Sequence, residues 1–183
     1  MIDSKQATDA LADIEDTVRR VRQSQIYQVS SLVLLMWGVL ACVADLAGWF
    51  WPRYGLYFWF AAYAVSAVGL VALSAYHRSK SRVRVFDGRY FLTFALIGAF
   101  GIFCCYFGHF TPRQQTAFWP IYIMLFYMMA GVWFGYAFLV IGATIIALTL
   151  IGYFYIPGLP LLLWMAAVNG GGLIVGGLWM RRS

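Results

Sequence analysis

The chain has 183 residues, of which 63% are hydrophobic and 11% are charged, and its formal net charge is +6. A typical soluble domain has about 25% charged residues, and a globule of this length cannot hide so much apolar surface from water. The composition therefore excludes an ordinary soluble domain and predicts an integral membrane protein.

Four runs without a charged residue predict the membrane helices, and they cover residues 23–44, 54–76, 90–108 and 114–180. About 20 apolar residues cross the hydrocarbon core of a bilayer, so the first three runs hold one helix each and the last has room for three. Two breaks divide the last run. "PGLP" at 157–160 contains two helix-ending prolines, and "GVWFGYAF" at 131–138 predicts a tight uncharged turn.

These breaks predict an all-α fold, a bundle of six transmembrane helices preceded by a short amphipathic helix. The predicted spans are 27–49, 54–76, 90–109, 116–134, 136–156 and 160–180. Trp119 recurs as Trp164 and Gly131 recurs as Gly176, each after 45 residues. This spacing hints that the last two helical hairpins repeat.

The distribution of basic residues predicts how the chain is threaded. With six crossings, eleven of the thirteen Lys and Arg residues lie on the side of the two termini, and only Arg53 and Arg113 lie on the other. Cytoplasmic loops carry the excess of basic residues, so both termini are predicted to be cytoplasmic. No signal peptide is expected, because the polar start and the length of the first helix do not fit one. The basic loop at 77–89 fits this topology or a contact with anionic headgroups, and no nucleic-acid motif accompanies it.

The N-terminal segment, residues 1–24, is predicted to be a cytoplasmic amphipathic helix, distinct from a transmembrane domain at 25–183. Its apolar positions recur at helical spacing and are Leu11, Ile14, Val18 and Val21. Acidic residues precede basic ones along it, in the order that suits the helix dipole. One interpretation is a helix lying at the lipid headgroups, and the other is a docking site for a cytoplasmic protein partner.

Asp45 is the clearest ionisable residue within a predicted span. Such residues are costly in hydrocarbon and are candidates for function by default. Asp45 lies near the outer end of the first helix, so the simpler interpretation is an interfacial carboxylate, hydrated or paired with Arg53 or Arg113. The alternative is a functional acid.

Small residues in the last helix predict close helix packing. Asn169, Gly172 and Gly176 follow one helical face, where bare backbone permits another helix to approach. The pair Gly131 and Gly135 has the same spacing and suggests a further close crossing. Asn169 is expected to make an interhelical hydrogen bond and is also a candidate ligand contact.

The predicted outer face is rich in Trp, Tyr and Phe. An interfacial aromatic belt accounts for most of this pattern. The functional alternative is an aromatic pocket for a small ligand, with Asp45, His109 and Arg113 as its polar contacts and Arg53 as a further candidate.

The sequence contains no motif for catalysis or for a metal. It offers no nucleophile–base set, no phosphate loop and no cluster of ligands at metal-binding spacing, so no enzyme activity and no cofactor are expected. His77 and His109 are predicted on opposite sides of the membrane and cannot bind one haem together within a monomer. Met124 and Met128, at helical spacing, fit core packing better than Cu(I) binding.

Several stretches, among them "ALADIEDTVRRVRQSQIY", "LLMWGVLA" and "WMAAVNGGGLIVGGLWMRR", resemble a group of uncharacterised small bacterial inner-membrane proteins. The resemblance implies six helices with a short cytoplasmic N-terminal helix and a place in the bacterial inner membrane. It implies no catalytic or binding residue. That group is expected to have a basic residue in the turn between helices four and five, where this chain has Gly135 and Tyr136.

The sequence favours a non-enzymatic sensor or regulatory protein, which binds a small ligand or a membrane partner and signals through its N-terminal helix. The alternatives are a small transporter or channel, dimeric and with Asp45 on the pathway, and an accessory subunit of a membrane complex. A homo-oligomer is compatible with each.

The predicted topology can be tested by cysteine labelling in a variant without the native cysteines. Single cysteines introduced at Ser183 and Arg82 should both react with a membrane-impermeant thiol reagent from the cytoplasmic side. A cysteine at Arg53 should react from the other side. Labelling of Ser183 and Arg82 from opposite sides would contradict six crossings.

Overall fold

The structure, a computed structural model, describes residues 4–80 and 88–182. All secondary structure in these residues is helical. The helices are α1 (Ser4–Phe50), a 3₁₀ turn (Pro52–Tyr54), α2 (Gly55–Lys80), α3 (Gly88–Phe107), α4 (Pro112–Phe134), α5 (Tyr136–Tyr155), α6 (Pro160–Met165), a π-helix (Ala166–Gly171) and α7 (Gly172–Arg182).

Five described helices are long and apolar enough to cross a membrane: Tyr27–Phe50, Pro52–Ala72, Pro112–Phe134, Tyr136–Tyr155 and Pro160–Arg182. A shorter apolar helix covers Leu92–Phe107. The ends predicted for the five spans lie within about four residues of these bounds. The described part of the chain is therefore all-helical, and its apolar helices are those of a multi-pass membrane protein.

The N-terminal segment is continuous with the first span. α1 runs for 47 residues without a break, whereas the sequence predicted a separate short helix at 1–24. The reason is that no proline and no glycine occurs between residue 4 and Gly38, so nothing interrupts the backbone hydrogen bonds. The side chains of the predicted docking stripe (Leu11, Ile14, Val18 and Val21) lie outside the described part of the structure.

Both predicted turns of the C-terminal half are confirmed. α4 ends and α5 begins at Gly135. Its φ of 136° is a conformation that glycine adopts readily and other residues rarely adopt. Gly131 lets the two helices meet closely, since a Cβ there would lie 2.7 Å from the backbone nitrogen of Leu139. The "PGLP" turn separates α5 from α6, with Gly158 at φ 73°.

Contacts between neighbouring helices fix their directions. Gly142 of α5 packs on Met128 of α4, and Tyr122 of α4 donates a hydrogen bond to the carbonyl of Ile97 in α3. α3 and α4, and likewise α4 and α5, run antiparallel to each other. The C-terminal segment (Pro160–Arg182) is antiparallel to both α1 and α5, and it lies between them.

One face of α1 carries this packing. With the exception of Ala44, its buried residues alternate three and four apart: Tyr27, Ser31, Leu34, Gly38, Ala41, Asp45 and Gly48. With this heptad spacing, the buried side chains stay on the side of α1 that faces its partner helix. At Gly38 an added Cβ would lie 2.8 Å from the carbonyl oxygen of Gly170 and 2.9 Å from the nitrogen of Ile174. The two backbones are therefore in direct contact.

Two adjacent glycines provide a matched test of this contact. A Cβ at Gly170 would lie 2.6–2.8 Å from the Cβ, Cα and nitrogen of Cys42, whereas a Cβ at Gly171 meets nothing within 4 Å. Gly170→Ala should lower stability by about 1–3 kcal/mol through overpacking, and Gly171→Ala should not. Thermal unfolding of the two variants in one detergent checks this, and equal midpoints would contradict the packing.

Candidate functional site

Asp45 is buried inside the bundle rather than hydrated at an interface. Its side chain is 2% exposed, and it lies five residues before the end of α1 at Phe50. Its Oδ2 atom is buried and has no hydrogen-bond partner in the described part of the chain. The predicted pairing with Arg53 or Arg113 is not seen there. A carboxyl group so placed is costly, and such residues mark functional sites in membrane proteins.

A π-helix faces this part of α1. Gly48 lies opposite Leu162, and Gly170 lies opposite Cys42. Asp45 comes between Cys42 and Gly48, so it faces the stretch between Leu162 and Gly170, which includes the start of the π-helix Ala166–Gly171. π-Helical turns inside α-helices are frequent at functional sites, and they disturb the regular pairing of backbone carbonyls.

Thr149 of α5 faces the same stretch from the other side. Gly152 lies opposite Trp164, and Gly172 lies opposite Ile145. Because Thr149 comes between Ile145 and Gly152 along α5, it lies at the level of the π-helix. Thr149 is 0% exposed, and its Oγ1 has no partner among the described residues. Next to it, Trp164 Nε1 donates a 2.9 Å hydrogen bond to the carbonyl of Leu148 and holds α5 against α6.

These observations define the candidate site: the Asp45 carboxyl group and the Thr149 hydroxyl on either side of the segment 164–170. Asn169, a predicted ligand contact, is buried within the π-helix at 7% exposure. Thr149 was missed by sequence reasoning. Its isolation within the apolar run "IIALTLIGYF" was the available signal.

The other two predicted ligand contacts lie elsewhere, at the end of the bundle that holds Phe50. Arg113 is exposed, and its Nη2 donates to the carbonyls of Tyr153 (2.6 Å) and Ile156 (3.2 Å). Its guanidinium also lies 5.2 Å from the centre of the Tyr153 ring. The cation thus satisfies terminal carbonyls of α5, where the helix dipole favours positive charge. His109 is exposed in the turn after α3, with φ 49°.

A groove between α4 and α5 is also present near the Phe50 end. It has a volume of about 240 Å³, and its lining includes Phe110, Gln114, Phe118, Tyr153 and Phe154. Asp45, His109, Arg113 and Asn169 do not line it. The structure therefore does not bring the four predicted contacts together around an aromatic pocket. Exposed aromatic residues at this end, such as Trp51 and Tyr155, are typical of an interfacial belt.

The glycines of the C-terminal segment contact two partner helices, and the predicted pair Gly172 and Gly176 contacts one of them. Gly172 lies against Ile145 and Gly176 against Ile141, both on α5, while Gly170 and Gly177 face α1. Among the described residues, no three His, Cys, Asp or Glu side chains group together as metal ligands. The three cysteines, Cys42, Cys104 and Cys105, are free thiols.

The fold and the site together define a polytopic helical membrane protein with a buried acid beside a π-helix. Comparisons with protein-family models, with curated proteins and with solved structures each give no match to this chain.

The interaction of Arg113 with α5 can be tested by substitution. Arg113→Ala removes two charge-assisted hydrogen bonds and should lower stability by about 1–2 kcal/mol, the lower part of the range for such bonds because the site is exposed. Arg113→Lys should lose less, because one donor remains. Arg53→Ala, at the same end and without a hydrogen bond to another described residue, is the control. Thermal midpoints that fall equally for Arg113→Ala and Arg53→Ala would contradict this role.

Proposed function

We propose that this protein is a non-enzymatic membrane sensor, in which a small ligand in the bundle core alters the position of α1 and thereby signals to a cytoplasmic partner. The observation that carries the proposal is the continuity of α1. One unbroken helix of 47 residues holds the buried Asp45 near one end and the segment preceding the membrane span at the other.

Six crossings with both termini in the cytoplasm form part of this proposal. α2 runs antiparallel to α1, as the packing of Gly69 on Met36 indicates, so α2 ends at the side where the span of α1 begins. α4 begins at the opposite side. The segment joining them includes α3, which supports α3 as a sixth crossing. The charge bias supports a cytoplasmic position for the termini and an external one for the Phe50 end.

The mechanical link follows from helix geometry. At 1.5 Å per residue, α1 is about 70 Å long. Its C-terminal half, Tyr27–Phe50, is the candidate membrane span. Helices that pack by backbone contact respond to a bound ligand by small shifts, on the order of 1–2 Å, rather than by deformation. A shift near Asp45 would therefore reach residues 4–24, the proposed docking segment for a protein partner.

A second candidate function, transport of a small solute with Asp45 on the pathway, is favoured by the π-helix. Interrupted transmembrane helices beside acidic residues form the substrate and ion sites of many transporters. Solute flux in proteoliposomes that is lost in Asp45→Asn would favour this alternative. An accessory role in a larger complex would appear as co-purification in mild detergent.

The sensor proposal is tested by a spin label at Val18, introduced as cysteine in a variant lacking native cysteines and studied in nanodiscs. Asp45→Asn should change the electron paramagnetic resonance spectrum, because packing around residue 45 sets the position of α1. Two glycines inserted between Ser24 and Gln25 should abolish that change while the bundle stays folded. Ser31→Ala, on the same face of α1 but at another level, should leave the spectrum unchanged.

An identical spectrum for the protein with Asp45 and for Asp45→Asn would overturn the proposed coupling. So would a response that survives the glycine insertion. A further expected result is that deleting residues 1–24 removes capture of the cytoplasmic partner without unfolding the transmembrane domain.

A further inference from the structure

We infer that the groove between α4 and α5 at the Phe50 end binds an anionic glycerophospholipid, with one acyl chain in the groove and the phosphate at Arg113. The inference goes beyond the proposed sensor function and does not depend on it, because Asp45 does not line the groove. A lipid held here is a specific partner of the bundle, in contrast to the exchanging lipids around it.

The groove follows the two helices from the rim of the bundle toward the membrane interior. Gln114 and Phe154 line its outer part, and Ile121 and Leu150 line its inner part. The rise along α4 from Gln114 to Ile121 is about 10 Å, and the hydrocarbon of one leaflet is about 15 Å thick. The direction and the length of the groove therefore suit an acyl chain that runs roughly along the bilayer normal.

The wall of the groove is apolar and open to the surrounding lipid. Phe118 and Tyr153 are half-buried along it, whereas Leu150 is 39% exposed and Phe154 is 72% exposed. Within a bilayer an acyl chain gains little free energy from such a wall, because the neighbouring lipid tails are equally apolar. The wall therefore positions the chain, and the preference for one lipid has to come from the headgroup region.

Arg113 places a positive charge at the outer end of the groove. Its guanidinium carbon lies 5.2 Å from the centre of the Tyr153 ring, which lines the groove. In the described part of the chain, its hydrogen bonds come from Nη2 alone, to the carbonyls of Tyr153 and Ile156. The side chain is exposed, so the donors on Nη1 and Nε remain for a ligand. A guanidinium that α5 holds in place and that keeps free donors is suited to a phosphate.

Gln114 supplies a second donor at the same rim. Its Oε1 accepts hydrogen bonds from the backbone nitrogen and the hydroxyl of Thr111, at 2.8 and 3.0 Å, which fixes the side-chain amide. Its Nε2 has two donors, and neither has a partner within residues 4–80 and 88–182. The ester carbonyls of a glycerophospholipid lie between the phosphate and the acyl chains and accept such hydrogen bonds. Cation, amide and apolar groove thus follow the order of phosphate, ester and chain.

The charge at this end selects an anionic headgroup. Arg53 and Arg113 are both exposed there, and Asp45 is buried in the bundle. The only acidic residue after Asp45 in the sequence is Asp87, which precedes α3, and α3 begins at the opposite side of the bundle. An anionic lipid compensates this positive charge, whereas a zwitterionic lipid carries its own cation beside the phosphate. Basic pockets between transmembrane helices bind anionic headgroups for this reason.

The test identifies by native mass spectrometry which phospholipid stays bound to the purified full chain. The protein in detergent receives an equimolar mixture of dioleoyl phosphatidylglycerol and dioleoyl phosphatidylcholine, which share their acyl chains and differ in net charge. Phosphatidylglycerol should exceed phosphatidylcholine in the singly lipid-bound protein by about fivefold, the ratio that corresponds to about 1 kcal/mol for one basic residue. Glycerol phosphate, which has the phosphate and no acyl chain, should not displace the lipid.

Two pairs of variants locate the lipid. Arg113→Ala should remove the preference, whereas Arg53→Ala removes the same charge at the same end and should keep it. Leu150→Trp fills the groove and should lower the amount of either lipid bound. Ile151→Trp is its control, because Ile151 is 46% exposed and does not line the groove. The ratio is measured on folded protein after gel filtration, so the lower stability expected for Arg113→Ala does not enter it.

Equal retention of the two lipids, or a preference that survives Arg113→Ala, would overturn the inference. A preference that falls equally in Arg113→Ala and Arg53→Ala would overturn it as well and would indicate attraction by net charge alone. Equal lipid loss in both Trp variants, or displacement by glycerol phosphate, would remove the groove as the site of the chain. The spin-label result at Val18 is independent of each of these outcomes.

Discussion

The close contact between the backbones of α1 and the C-terminal segment is the constraint on which the rest of the structure depends. In lipid, apolar side chains gain little by packing on each other, so van der Waals contact between small residues holds helices together. Gly38 and Gly170 remove the side chains that would keep the two backbones apart. In the most apolar 18-residue stretch of the C-terminal segment, 50% is buried, whereas 11% is buried in the corresponding stretch of the second span. The C-terminal segment is therefore the centre of the bundle.

The same contact places two buried polar groups on the two helices that flank the C-terminal segment. Seen from the Phe50 end, α1 and α5 lie on either side of the C-terminal segment, and Asp45 and Thr149 reach it at one level, beside the π-helix. A tightly packed junction leaves little freedom for these groups to find other partners. The proposed sensor function depends on this packing, because a shift at this level would have to pass along α1 to residues 4–24. Burial and close packing characterise this core.

Much of the fold could be predicted from the sequence, because its signals are local. Charge-free runs and the "PGLP" and Gly135 breaks mark the helices and turns within a few residues. The start of α4 was predicted four residues late, since the capping box of Thr111 and Gln114 was not used. The sequence predicted a separate helix at 1–24, whereas α1 continues from Ser4 to Phe50, because a change of polarity does not interrupt a backbone without proline or glycine. The candidate site was harder to predict from the sequence. The π-helix, the position of Thr149 and the engagement of Arg113 with α5 depend on which helices meet, and single-helix spacing does not contain that information.

The central claim, direct pairing of α1 with the C-terminal segment, is tested most directly by an engineered disulfide. A Cβ at Gly177 would lie 3.2 Å from the Cβ of Leu34, close to the spacing of about 3.5–4.5 Å in disulfides. In a variant without native cysteines, Leu34→Cys combined with Gly177→Cys should oxidise rapidly to an intramolecular bond, detected by mass spectrometry. Leu34→Cys combined with Val175→Cys, which is 68% exposed on another face, should not. Efficient cross-linking of the second pair and not of the first would contradict the account.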